Sequence, residues 1–410
     1  MNIYRGLVHI DNTQQIWAKD TALPFMTPVM PRQRYQRLQS SWRIQHLDDE
    51  EKEGAPDTWA KLRPLLDAVL PRFRHHYHPH QHLTIDEQII PFQGRHRSIQ
   101  FMKNKPARWG FKNFVLCDAE STYALAFNPY EGKDPKRPEL GTGHGITLTM
   151  VEPWFRRGHV VVADNWFGSM KLAKDLLDKG TGYIGTVRRK RVDFPPDFFV
   201  KKNALKRGEH IIHQHTVEPS ITATAWGDRN VVFLVSSVSS PTKSITVQRH
   251  VEGYERVAVA APQVVGDYQH SMRGVDRIDQ QINSKRPGAS TKRWWVAIAW
   301  GIVNLIVHNA YVLHRECCIA ADERPLSNYA FRLRLADQLI GSYRGRARIG
   351  RPPAAPGGAE HRIVHVEKRD DCTVCSSRAL GGKRCRSNYR CEPCDMYICV
   401  ACYDAHRASH

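Results

Sequence analysis

Cysteine is almost absent from the first 370 residues of this 410-residue chain: Cys117, Cys317 and Cys318 are scattered there, and the other seven follow residue 370. A chain-wide disulfide framework is excluded, and the clustering points to metal binding in a reducing compartment. Met1-Asn2-Ile3-Tyr4-Arg5-Gly6 has no uninterrupted apolar stretch of signal-peptide length, so no secretion is expected. Long apolar runs are missing apart from Trp294 to Leu313, where Asn304, His308 and Asn309 intervene. Unpaired polar groups are costly at bilayer depth, so the run reads as a buried core helix and no membrane partner is expected. There is no internal repeat. Acid is scarce relative to base: the net charge is +19 and the pI about 9.6. A folded chain with that balance favours a polyanionic partner, nucleic acid first.

Residues 1–82 read as helical, with apolar residues at helical spacing from Thr58 to Leu70 and a histidine-rich exit, His75-His76-Tyr77-His78-Pro79-His80, that reads as a solvated connector. Strand patterns begin at Leu83: Leu83 to Phe92, Phe114 to Asp118, Tyr123 to Phe127 and His159 to Asp164. After Asp164 a turn leads into a helical period over Met170 to Leu177 and then a strand over Tyr183 to Val187, a strand–helix–strand unit in an α/β fold. Residues 192–263 read as a separate β-rich insertion, and helical pattern resumes at Ser271. Residues 344–370 are a Gly/Pro/Arg-rich linker before a cysteine-rich end at 371–410.

Three separated aspartates stand out: Asp86 inside a strand, Asp164 at the end of another, and Asp276 on a helix with Asp279 one turn later. Hard divalent cations prefer carboxylate oxygen, and two such ions can activate a nucleophile and stabilise the leaving oxygen of a phosphodiester. Spacing alone says little, because strand-end and helix-cap aspartates are common.

Sequence context says more. Thr84-Ile85-Asp86-Glu87 through Pro91-Phe92-Gln93-Gly94-Arg95, Lys105-Pro106 with Trp109-Gly110-Phe111-Lys112, Tyr130-Glu131-Gly132-Lys133, Ala163-Asp164-Asn165-Trp166-Phe167, and Gly274-Val275-Asp276 with Asp279 occur in this order. The series resembles the transposase domain of the piggyBac family over nearly the whole chain. That resemblance implies an RNase H-like catalytic core at 83–191 and 264–285, interrupted by the β-rich insertion. It also implies Mg²⁺ (or Mn²⁺) on Asp86, Asp164 and Asp276, with Asp279 as a supporting carboxylate. Residues 1–82 and 286–343 would pack together as a helical dimerisation and DNA-binding domain of a nuclear homodimer. The implied chemistry is cut-and-paste transposition: nicking at the transposon ends, hairpin formation and opening, and joining at TTAA in double-stranded DNA. Relatives carry further helical sequence ahead of the part resembling Tyr4 to His9. The alternative function is therefore a domesticated or truncated DNA-binding protein without transposition.

Basic residues surround this core. Arg95, Arg97, Lys105, Lys112, Arg188, Arg189 and Lys190 are expected to contact phosphates, which positions DNA without reading its sequence. Gly350-Arg351-Pro352 resembles an AT-hook core, with Arg351 entering an A·T minor groove, or else a basic linker or nuclear-localisation stretch.

In the tail, Cys372-x-x-Cys375, Cys391-x-x-Cys394 and Cys399-x-x-Cys402 provide three ligand pairs, and His406 with His410 a fourth. Tetrahedral Zn²⁺ takes such ligands in fours. A cross-brace finger with two Zn²⁺ is expected, one on Cys372, Cys375, Cys399 and Cys402, the other on Cys391, Cys394, His406 and His410, with Cys385 or His365 as substitutes for His410. Taken alone, such a tail also fits a protein-interaction module.

Overall fold

The computed structural model describes residues 1–8, 13–18, 23, 25–44, 58–103, 105, 107–130, 142–195, 197–250, 256–288, 291–343, 361–376 and 384–408. Two compact units result, one of Met1–Ile16 with Leu38–Gly341, the other of Trp17–Arg37 with Ser342–His410.

The first unit is built on a nine-stranded mixed sheet. It runs from α1 (Asn2–Leu7), α2 (Arg32–Ser41, shared with the second unit) and α3 (Arg63–His75) into β1 (His82–Pro91), β2 (Ile99–Phe101), β3 (Trp109–Asp118), β4 (Ala124–Pro129), α4 (Thr142–Val151), β5 (Val160–Ala163), α5 (Met170–Asp178) and β6 (Gly182–Thr186). Then come β7 (His210–Gln214), β8 (Thr222–Gly227), β9 (Val231–Ser236), β10 (Ser244–His250), β11 (Arg256–Pro262), α6 (Gln263–Ser271), α7 (Gly274–Asn283), α8 (Trp294–Ala320) and α9 (Asn328–Ile340). β1 lies between an antiparallel partner, β3, and a parallel one, β5, and β5 in turn pairs parallel with β6. Central position explains the sequence: Leu83, Thr84 and Ile85 are buried on both sides, as are all four residues of β5.

The expectation of a separate β-rich insertion at 192–263 needs correction. β9 pairs antiparallel with β6, and β8 and β7 follow it, so these strands extend the core sheet; only β10 and β11 form a sheet of their own. The open edge of β6 required a partner, and the apolar run Val231 to Val235 supplies it.

α8 is long and apolar enough to cross a membrane by length and composition, but it behaves as a core helix. Its polar residues are spent on protein backbone. Asn309 accepts from the Ala124 N–H and donates to the Ala124 carbonyl, both at 2.8 Å, as a neighbouring strand would. His308 Nε2 bonds the Thr122 carbonyl at 2.8 Å, and Asn304 donates to the Ile282 carbonyl at 3.0 Å. Burial pulls the His308 imidazole down to about 4, so it is neutral at physiological pH. Asn309→Ala would leave two buried backbone groups of Ala124 unpaired, a cost of about 3 kcal/mol expected as a lower urea midpoint.

Residues of the N-terminal and late helices of this unit touch. The Tyr4 hydroxyl donates to Asp337 on α9, Arg293 donates to the Ser40 carbonyl at 3.1 Å, and the Trp42 ring lies 5.6 and 5.0 Å from those of Trp295 and Trp300. At the connector, the wholly buried Asp118 carboxylate accepts from the His80 N–H and the Tyr77 hydroxyl and lies 2.7 Å from His80 Nδ1. His80 is thereby anchored on one edge of its ring while its side chain stays exposed.

The second unit contains a three-stranded sheet of β12 (Ile363–Asp371), β13 (Arg386–Cys391) and β14 (Met396–Tyr397), followed by α10 (Tyr403–Ala408). Its apolar cluster is small, Cys391, Cys394 and Ile398 with Ile363, Met396 and Cys402 packed around them.

Candidate active site and metal centres

The parallel register of β1 and β5 pairs Ile85 with Ala163, so the next residues, Asp86 and Asp164, leave adjacent strands side by side on one face. Asp164 is held by its own turn. Its carboxylate accepts from the Trp166 N–H at 2.8 Å, and its carbonyl accepts from the N–H groups of Phe167 and Gly168. Only glycine fits at 168, where a Cβ would stand 1.9 Å from the Thr186 carbonyl oxygen. Ser169 then caps α5, accepting from the Leu172 N–H at 3.1 Å.

α7 brings the other two carboxylates. Thr84 Oγ1 donates to the Ser271 carbonyl at 2.6 Å, and Gly274 lets the helix start against β1, since a Cβ there would meet Cys117 Sγ at 2.7 Å and Thr84 Oγ1 at 3.1 Å. Asp276 is exposed in the first turn, where the helix dipole favours a negative charge, and Asp279 accepts from Gln88 Nε2 at 2.7 Å. Gln88 lies two residues beyond Asp86 on the same strand face. Gly274→Ala should cost about 1–3 kcal/mol of overpacking and shift α7. Any activity that depends on where Asp276 stands should fall further than stability, up to about a hundredfold for a displacement near 1 Å, with partial recovery on adding Cys117→Ala.

The electrostatics tie these groups together. Burial, then the charges of Asp164 and Asp276, push the Asp86 carboxyl up to about 7, against the Glu87 N–H and Lys105. Asp164 is raised by burial and Glu87 despite the Trp166 N–H and Arg188. Burial also raises Asp279 to about 6, opposed by Gln88, Lys105 and Arg286. Below about pH 7 Asp86 carries a proton that a cation must displace. Affinity for a divalent cation at these carboxylates should therefore fall as pH drops below about 7 and level off above it, a dependence measurable by calorimetry with Mg²⁺. Among the described residues, groups of three or more donors within 4.8 Å of one another occur only in the tail, so the aspartates form an open set rather than a closed cage. Mg²⁺ tolerates that, since it keeps several waters and takes one or two carboxylates plus substrate phosphate.

The basic residues differ in what they are free to do. Arg95, Arg188, Arg189 and Lys190 are exposed, and Lys105 acts on both Asp86 and Asp279. Arg188 bonds Asn165 at 2.9 Å, Arg189 bonds the Val200 carbonyl at 2.7 Å and covers the Phe233 ring, and Arg97 bonds Thr58. Lys112 is the poorest candidate for a phosphate contact: it is paired with Glu87 and sits 4.3 Å above the Trp166 ring. Arg351 and the AT-hook-like stretch lie outside the described residues.

In the tail, Cys372, Cys375, Cys399 and Cys402 gather their sulfurs as expected. The second group is His361, Cys391, Cys394 and His406. The seat assigned to His410 is thus taken by His361, while His410 lies outside the described residues; Cys385 and His365 belong to neither group. The Cys375–Cys399 sulfur separation is 3.7 Å, and His361 Nδ1 lies 3.6 and 3.3 Å from the sulfurs of Cys391 and Cys394. A tetrahedral Zn²⁺ site has edges of about 3.6–3.8 Å, so both groups could hold the ion. His361 stands apart from any Cys-x-x-Cys pair, which hid it.

Comparison with known proteins supplies the lineage. The family model described as Transposase IS4 matches residues 1–311. Human PiggyBac transposable element-derived protein 3 is 27% identical over 416 residues, covering 97% of this chain and 67% of that protein. The human Chimeric ERCC6-PGBD3 protein shows the same identity over 97% of this chain but only 37% of its own length. This chain therefore spans about two thirds of the first relative and well under half of the second. The cryo-EM structure of the piggyBac transposase synaptic complex with hairpin DNA superposes with a TM-score of 0.74 at 22% identity, covering 98% of this chain and 84% of that one.

Proposed function

Since the chain belongs to the Transposase IS4 family, among its piggyBac-type members, we propose that it is a metal-dependent DNA transposase that nicks transposon ends and joins them at TTAA sites. One observation carries the reading: β1, β5 and α7 bring Asp86, Asp164, Asp276 and Asp279 to one sheet face from distant parts of the sequence. Three antiparallel strands leading into two parallel ones support an RNase H-like core. Mg²⁺ or Mn²⁺ on Asp86, Asp164 and Asp276 would supply Lewis acidity at a phosphodiester and lower the pKa of an attacking water. The protein's own part is positioning. Gln88 fixes Asp279, the Trp166 N–H orients Asp164, and Lys105 with Arg95 and Arg188 attracts phosphate. Hydroxyl attack on phosphorus needs no covalent protein intermediate, so no serine or cysteine nucleophile is required.

The tail, with one Zn²⁺ on Cys372, Cys375, Cys399 and Cys402 and another on His361, Cys391, Cys394 and His406, is assigned to recognition of transposon-end DNA. The helical segments 1–82 and 286–343 are assigned to dimerisation and DNA binding, and the protein to the nucleus. An excision assay tests the reading, using a plasmid that carries an element with the genomic repeats flanking this gene. Excision with Mg²⁺ and none with EDTA is expected; excision unaffected by EDTA would overturn it.

A further inference from the structure

Away from the carboxylates, one surface combines exposed rings with cations. Phe101 closes β2 and Trp109 opens β3; they are direct partners in the ladder, their ring centroids are 4.9 Å apart, and they are 53% and 51% exposed. A single exposed apolar residue needs no explanation, whereas a touching pair of large rings invites one. From Phe92 to Trp109 the sequence contains Arg95, Arg97, Lys103, Lys105 and Arg108 and no acidic residue. Trp109 also lines a cleft of about 670 Å³, together with Phe92, Arg95, His96 and Ile99. That volume falls within the range of small-molecule sites and accommodates a nucleoside.

Position links the cleft to the carboxylates. The β1–β3 ladder pairs Asp86 with Val115 and runs without a register shift to Pro91 and Gly110. Alternation then sets Trp109 on the Asp86 face, about 20 Å along the strand. Lys105, in the connection between β2 and β3, acts on both Asp86 and Asp279. A like-on-like contact of a second copy here would set this stretch of five cations and no acid against itself. Aromatic platforms flanked by cations suit unpaired bases, because every base has a π-face to stack and a phosphate to neutralise.

We propose that this cleft receives an unpaired nucleobase of the DNA being processed, stacked on Trp109 beside Phe101, with its phosphate on Arg95. The inference rests on the DNA-processing reading above and adds a place for the strand that leaves the duplex. Trp109 is a positioning residue in this account, remote from the reacting atoms.

The test compares binding of the full chain to a fully paired duplex and to the same duplex with a short single-stranded gap carrying 2-aminopurine. Wild type should prefer the gapped DNA and quench the 2-aminopurine. Trp109→Ala should lose the quenching and about tenfold of the preference, with duplex affinity, salt slope and melting temperature unchanged. Trp109→Phe should retain most of both. Quenching and preference that persist in Trp109→Ala would overturn the inference and leave the DNA-processing reading intact. An equal loss on both DNAs would also overturn it, by assigning Trp109 to general binding. Binding of neither DNA by wild type would remove the parent reading as well.

Discussion

Asp164→Asn is expected to lower Mg²⁺-dependent strand cleavage by at least about a thousandfold while changing DNA affinity only a few-fold. The amide keeps the shape of the carboxylate and can still accept from the Trp166 N–H, so the β5–α5 turn should survive. What disappears is a negative oxygen ligand, and several kcal/mol of transition-state charge stabilisation corresponds to three or more powers of ten in rate. Stability should move the other way. Burial raises the Asp164 pKa, so its ionisation opposes the folded state, and stability present at low pH is lost as pH rises through the folded value. In metal-free buffer at pH 8 the variant should therefore melt at or above the wild-type temperature, and added Mg²⁺ should raise the melting temperature of wild type alone. Cleavage equal to wild type would remove Asp164 from the site.

Zinc removal is the second large effect. The tail's apolar cluster of Cys391, Cys394 and Ile398 is too small to hold three strands and a six-residue helix together, and structural Zn²⁺ supplies about 10–16 kcal/mol of apparent folding free energy in comparable small domains. A strong chelator should make residues 361–408 protease-sensitive while the sheet built on β1 keeps its melting transition. Metal analysis separates the two histidines. His361→Ala should reduce bound zinc from two ions to one per chain, and His410→Ala should leave two. The reverse result would restore the ligand set expected from spacing.

The parts legible in the sequence were those with short-range signatures. Leu83 to Phe92 declared a buried strand, Trp294 to Leu313 a core helix whose Asn304, His308 and Asn309 argued against a membrane, and the paired cysteines a metal-bound tail. Pairing partners were not legible, because period-2 alternation says that a strand exists and nothing about its neighbour. The strands at 210–236 therefore read as part of a separate insertion at 192–263, although β9, β8 and β7 extend the sheet from β6. The local partners of Lys112, proposed as a phosphate contact, were not legible for the same reason. Its capture by Glu87 and Trp166 depends on the β1–β3 ladder and on the turn after β5, which local sequence does not specify. The aspartates were identified by motif context, and the register of β1 with β5 supplies the physical reason that Asp86 and Asp164 can act together.

The central claim is that Asp86, Asp164 and Asp276 serve one metal site. Replacing Mg²⁺ with Fe²⁺ and generating hydroxyl radicals with ascorbate and peroxide cuts backbone only near the bound ion. Cuts close to residues 86, 164 and 276 together, suppressed by excess Mg²⁺ and lost in Asp164→Asn, are the predicted result. Cuts at one of the three segments alone, or a pattern unchanged in Asp164→Asn, would contradict it.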